Sequence, residues 1–242
     1  MNELKAAAVA RAAGYPSQAA RPAERCMSTD PGLRRGAVLV RIAPFEAREQ
    51  TRNGLTVVQI GGYASVTESA YEMYDMYGPY SEVVSAGAFA KTLAANPVVE
   101  FALNHGRGGG ASMASTRNDT LDLLEDETGL RYDAYVDPKR TDVGDMLMAL
   151  ARGDLAEASF KFRIDSGRWV RDYTEYRIEA VDLERGDVSA VNFGANPAAS
   201  SGLRAAGGRV DGSTRVRLGG EAVVPLSARR AFIDDEMTTP IV

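Results

Sequence analysis

The chain has 242 residues, 45% of them hydrophobic and 25% charged, with a single histidine and a single cysteine. That composition suits one globular domain with tails, and it excludes an internal disulfide, a cysteine cluster and the usual multi-histidine zinc site. Residues 1–50 hold 8 basic and 5 acidic side chains and 201–242 hold 6 and 5, but 51–200 hold 14 against 23, and an acidic middle argues against nucleic acid as the main partner because phosphate binding needs a basic face.

No stretch approaches the roughly 20 apolar residues that cross a bilayer. The alanine-rich start, MNELKAAAVARAAGYP, lacks the continuous apolar core of a secretory signal, so a cytoplasmic protein without a membrane segment is expected. The first 30 residues are rich in Ala, Arg, Pro and Ser without a sustained period and read as disordered. Residues 38–42 form a first short strand. From Leu55 the pattern LTVVQIGGYASV is β, with Gly61-Gly62 predicting a bulge or bend. Tyrosines at 71, 74 and 77 recur every three residues among acids, as on one helix face or an aromatic loop.

Ser85 to Leu93 reads as a helix start with Ser85 as its N-cap, ended by Asn96-Pro97. A strand over 98–103 follows, then His105 and a glycine-rich loop. Strands are predicted over 120–124 and 129–136, the latter with one buried face made by Leu130, Tyr132, Ala134 and Val136. The clearest helix runs over 141–152. Val143, Met146, Leu147 and Leu150 stripe it, Thr141 or Asp142 caps it, and Gly153 closes it. Strands over 158–164, 176–183 and 187–193 complete the core. Residues 201–242 turn to Gly, Arg, Ser and Ala, with a short apolar element at 222–226. The expected organisation is a flexible segment at 1–36, a folded domain at 37–200 and a flexible tail at 201–242. Many short strands with few helices give a mainly β fold with helices (α+β), a barrel or sandwich.

His105 stands where a strand ends and a flexible loop begins. The scaffold fixes its backbone, the loop leaves it approachable, and its side chain suits proton transfer near neutral pH. A base needs a nucleophile. In ASFKFRI, Ala158, Phe160 and Phe162 make an apolar face and Ser159 lies on the other, held by the strand. Ser189 in DVSAVNF competes on the same grounds. Ser112 and Ser115 lie in the histidine's own loop, a poor mount for attack geometry. For an orienting acid, Asp187 opens the last strand, with Asp182 and Glu184 close by, and the local pattern does not choose among them. The acids at 119–127 have no EF-hand spacing and read as a hairpin edge. Residues 106–110 lack the lysine of a phosphate loop. No metal or cofactor site is expected.

These pieces, in this order, resemble the prohead (capsid maturation) proteases of tailed phages with the HK-ninety-seven-type capsid. Over roughly 55–200 the landmarks are Gly62-Tyr63-Ala64, Ser85-Ala86-Gly87-Ala88-Phe89, Asn104-His105 and Thr128-Gly129-Leu130. They continue with the Gly153 to Phe162 segment, then Asp187-Val188-Ser189-Ala190-Val191 and Ala195-Asn196-Pro197-Ala198. The resemblance implies a serine endopeptidase with a small closed or partly open β-barrel surrounded by helices, like the herpesvirus assemblins. It implies Ser159 as nucleophile, His105 as base and Asp187, where the family more often has Glu, as third member. Gly106 and Lys161 also depart from the family pattern. The implied substrates are scaffold and major capsid protein extensions and the chain itself, cut inside the immature capsid in the host cytoplasm. The implied protein acts without cofactor, nucleic acid or membrane and is compatible with an oligomer. The rival is a catalytically inactive assembly or scaffold protein of the same fold. Backbone N–H groups from 106–110 or 166–168 are the candidate oxyanion donors.

Overall fold

The computed structural model describes residues 3–25, 49–52, 55–106, 111–192 and 200–203. The strand expected at 38–42 and the apolar element at 222–226 lie outside these residues. Helix α1 (Glu3–Gly14) comes first. Strands β1 (Glu49–Arg52), β2 (Leu55–Val66), β3 (Tyr71–Asp75) and β4 (Gly78–Val84) lead to the short helix α2 (Ala90–Ala94). Then come β5 (Glu100–Leu103), β6 (Ala114–Ser115), β7 (Leu121–Glu125) and β8 (Gly129–Val136). Helix α3 (Thr141–Arg152) precedes β9 (Glu157–Trp169), β10 (Glu175–Val191) and β11 (Ser200–Leu203).

The strands form one mainly β sheet in the order β3-β4-β10-β9-β11-β2-β8-β7, with β1 also on β2, β5 on β10 and β6 on β5. The order does not close on itself. Strand β6 lies beside β8 without pairing with it, so of the closed or partly open barrel expected, the closed form is not made. A barrel closes only when its last gap is bridged by a ladder of hydrogen bonds, and β6, two residues long, pairs only with β5.

The periodicities that predicted the core hold. Leu130, Tyr132, Ala134 and Val136 of β8 are fully buried, and Tyr132 stacks on Phe101 of β5. Helix α3 buries Val143, Met146 and Leu150 and ends at Gly153 in the left-handed conformation, φ 78°. Its start differs from expectation. Arg140 occupies the cap position without a side-chain cap bond, and Asp142 accepts from Val143 N–H. Ser85 does not cap α2 either. Its carbonyl accepts from Ala88 N–H in a turn that precedes the helix. Gly61 and Gly62 sit in regular register between β8 and β11, and the irregularity of β2 falls between Tyr63 and Ser65.

The tyrosine run is neither helix nor loop but the hairpin β3–β4. Its period of three is incidental. The structural period is two, with Tyr71, Met73 and Asp75 facing inward. Tyr71 and Tyr80 hydroxyls donate to buried Glu82, which also receives two bonds from Arg25. Burial, with the Glu82 charge beside it, pushes the Tyr71 hydroxyl well above its ordinary pKa.

The reading of the first 30 residues as disordered fails for 3–14, because the anchor is a charge rather than an apolar stripe. Arg11 of α1 is fully buried. Its Nε and Nη2 each lie 2.9 Å from an Asp75 carboxylate oxygen, and Nη2 also donates to the Gly78 and Pro79 carbonyls. The Tyr80 and Trp169 rings flank the guanidinium at 5.2 and 5.1 Å. A compositional reading sees only Ala and Arg there and misses a desolvated ion pair. Removing one partner of such a pair strands the other charge. Arg11→Ala is expected to cost about 3–5 kcal/mol in denaturant unfolding; a cost under about 1 kcal/mol would place the pair with ordinary surface bridges.

Strands β9 and β10 carry the centre of the molecule. They stay antiparallel along their length, but β10 inserts residues 183–186 opposite the single residue Phe162. The insertion merges the two strands expected at 176–183 and 187–193 into one bent strand. Before the bend β10 pairs with β4, and after it with β5. The bend needs Arg185 at φ 58° and no side chain at Gly186, where a Cβ would come within 2.1 Å of the Lys161 carbonyl oxygen. Gly186→Ala must therefore shift backbone next to Asp187. A loss of about 2–4 kcal/mol is expected, read as a lowered Tm, together with a fall in activity.

Candidate active site

After the bend, β10 is bonded on both sides: Asp187, Val188 and Ser189 pair with Lys161, Phe160 and Ser159 of β9, and with Glu100, Phe101 and Ala102 of β5. Side chains alternate across a strand. Val188, Ala190, Ala158 and Phe160 therefore enter the core, and Asp187, Ser189, Ser159 and Lys161 share the opposite face. Directly opposed residues have Cβ atoms about 4.5–5.5 Å apart, so Ser159 and Ser189 are neighbours.

At the end of β5 the chain turns back over this face. Asn104, His105 and Gly106 are all left-handed, with φ of 49°, 58° and 67°. The turn brings His105 Nδ1 to 2.6 Å from Asp187 Oδ1, with the two side chains 27% and 12% exposed. An ionised carboxylate only accepts, so this contact suits a ring that carries a proton on Nδ1 and leaves Nε2 to face away from the carboxylate. The Ser189 hydroxyl donates to the same Asp187 oxygen at 2.7 Å and accepts the His105 backbone N–H at 3.2 Å. Asn104 and Asn192 exchange two further bonds, Asn104 Nδ2 to Asn192 Oδ1 at 2.8 Å and Asn192 N–H to Asn104 Oδ1 at 3.1 Å.

The four serines weighed from the sequence part company here. Ser189 is fully buried and its proton is committed to Asp187. Ser112 donates to the Ala114 carbonyl and Ser115 to the Val99 carbonyl. Ser159 is half-buried, and its hydroxyl makes no hydrogen bond among the described residues. The three carboxylates separate as well. Asp182 is taken by Arg163, whose hydrogen bond holds its carboxyl below the usual range. Glu184 accepts Val98 N–H at the bend. Only Asp187 of the three touches the imidazole.

Residues 166–168 are in ladder register with β10 at Arg177, Ile178 and Ala180, some seven residues or roughly 23 Å along β9 from Ser159. They are poorly placed as oxyanion donors to that serine. The other candidate stretch is described only as far as Gly106. The sequence assigns no role to Asn192, and Asn104 enters it only as part of the Asn104-His105 landmark. The usable signal was an asparagine at a strand end before a histidine, since asparagine tolerates the left-handed region better than most residues.

Among the described residues no group of three or more His, Cys, Asp and Glu is arranged to hold a metal ion. No helix there is long and apolar enough to cross a membrane. A family model described as caudovirus prohead serine protease matches residues 44–207. The chain belongs to that family. As a caudovirus prohead serine protease it is a serine peptidase, a hydrolase of phage capsid maturation. The match spans the landmark segments that carried the sequence resemblance, including 193–199, which lie outside the described residues. No curated protein and no solved structure matches the chain.

Proposed function

We propose that the chain is an endopeptidase that cuts scaffold and major capsid protein extensions, and itself, inside the immature capsid in the host cytoplasm. Ser159 is the nucleophile, His105 the base and Asp187 the orienting acid. The observation that carries the assignment is the 2.6 Å contact of Asp187 Oδ1 with His105 Nδ1, on the strand face that also bears the half-buried Ser159. The herpesvirus-assemblin kinship suggested by the segment order belongs to the same proposal.

In this reading His105 Nε2 takes the Ser159 proton as Oγ bonds to the scissile carbonyl carbon. Asp187 holds the ring in the tautomer that leaves Nε2 basic and stabilises the imidazolium that forms. The imidazolium then gives its proton to the leaving amine, and water, activated by the same ring, hydrolyses the acyl-enzyme. In the resting structure Ser159 is not bonded to His105, and such contacts commonly tighten only when substrate is bound.

Co-expression with the capsid protein, read by intact mass spectrometry, tests the substrates and self-cleavage together. The wild type is expected to trim the capsid protein and its own chain, and Ser159→Ala neither. Equal trimming in both would sink the proposal. No trimming in either would favour the inactive assembly protein.

A further inference from the structure

We infer that Ser189 and Asn192 are positioning residues that hold His105 in its working pose, an inference that rests on the reading of His105 as the base. The histidine sits in a turn of three successive left-handed residues, two of them not glycine. Each non-glycine residue in that region costs free energy, so such a turn persists only where its surroundings over-determine it. Among the described residues, the groups that hold Asn104 and the His105 backbone come from the end of β10 and the residue that follows it. Asn192 holds Asn104 through one side-chain bond, accepted at its Oδ1, and one backbone bond, donated by its N–H, and Ser189 accepts the His105 N–H.

Ser189 does more than hold the backbone. Its hydroxyl spends its proton on Asp187 Oδ1, the atom that His105 Nδ1 also touches. One buried oxygen thereby ties the backbone of the base to the carboxylate that orients its ring. Without it the His105 N–H loses its partner and the Asp187 side chain loses the bond that fixes its rotamer. Strand β10 is rigid here because it is paired on both edges. Its spacing is also apt: residues 187 and 189 project from one face, and 192 follows the strand's end. Partners that orient a metal-bound histidine matter by about 10–100-fold, a scale carried over here to a histidine base, and a small misplacement of a reacting group is enough to give about a 100-fold loss.

The single histidine makes the test clean, because every imidazole signal in the protein belongs to His105. In wild-type full-length protein the Nδ1 proton bonded to Asp187 should give a far-downfield, slowly exchanging proton resonance. Ser189→Ala is expected to abolish or strongly shift that resonance and to lower kcat about 10–100-fold, with KM changed less than about twofold. Asn192→Ala removes an exposed side chain. It should lower kcat about 5–10-fold at an almost unchanged Tm, and it carries the test alone if Ser189→Ala fails to fold. Retention of both the resonance and kcat in the folded variants overturns the inference, as does a loss confined to KM or Tm. The resonance is read without substrate. A wild type that shows it and cleaves nothing overturns the protease reading, and its loss in Ser189→Ala still supports the positioning.

Discussion

Ser159→Ala is expected to reduce cleavage of a co-expressed capsid substrate by about 10⁴-fold or more, leaving only the residual acceleration that binding supplies. The size of the effect follows from the site's division of labour. Ser159 and Ser189 are opposed on the strand face that carries Asp187, and Ser189 has spent its proton on Asp187 and lies fully buried. A fully buried hydroxyl whose proton is committed to a carboxylate has no access to a peptide. Ser159 has a half-open position on a strand clamped by its neighbour. Its replacement by alanine removes no hydrogen bond among the described residues, so Tm should change by only a degree or two. Activity lost without stability lost is the signature to measure, by mass spectrometry of the substrate and thermal unfolding of the purified variant. Cleavage surviving in Ser159→Ala and vanishing in Ser189→Ala would reverse the two roles.

Asp187→Asn is the second large effect, expected at about 10³–10⁴-fold in kcat. An amide offers its NH₂ or its oxygen to Nδ1. If the NH₂ faces the ring, Nδ1 becomes the acceptor, the proton moves to Nε2, and the nitrogen that should take the Ser159 proton is blocked. If the oxygen faces the ring, the tautomer survives but the negative charge that stabilises the imidazolium is gone. The Ser189 hydroxyl donates to the same oxygen, which also favours the carboxylate. The control is built into the chain. Asp182→Asn and Glu184→Gln should leave kcat within about threefold, since these groups serve Arg163 and the Val98 amide rather than the ring. Single-turnover cleavage of the capsid substrate by the three variants separates the assignments. A large loss in Glu184→Gln with Asp187→Asn active would transfer the acid's role across the bend.

The sequence alone carried the local elements with strong periods. The alternation of Leu130 to Val136 made β8 legible, and the stripe of Val143, Met146 and Leu150 with Gly153 made α3 legible, because a side chain's face follows directly from 2.0 and 3.6 residue periods. It also carried the candidate base, since one histidine among 242 residues has no competitor, and the ordered segments that match the prohead protease family. What the local pattern could not carry was a choice among chemically equivalent groups, which only the family resemblance supplied. Ser159 and Ser189 have the same strand pattern, and Asp182, Glu184 and Asp187 lie within six positions of one another.

The tertiary structure separates their surroundings through register. Pairing of β10 with β9 sets Ser159 opposite Ser189, the bend at 183–186 turns Asp187 toward the histidine and leaves Glu184 at Val98, and pairing with β5 returns His105 over that face. Docking of α1 through Arg11 was likewise invisible, because its energy comes from a charge partner at Asp75, 64 residues away. Contacts of that kind depend on which distant residues the fold brings together, and a local pattern contains no term for them. Periodicity made the strongly patterned elements legible, the lone histidine offered a candidate base, and the ordered segments pointed to the family; the pairing of strands decided which serine is open and which carboxylate touches the imidazole.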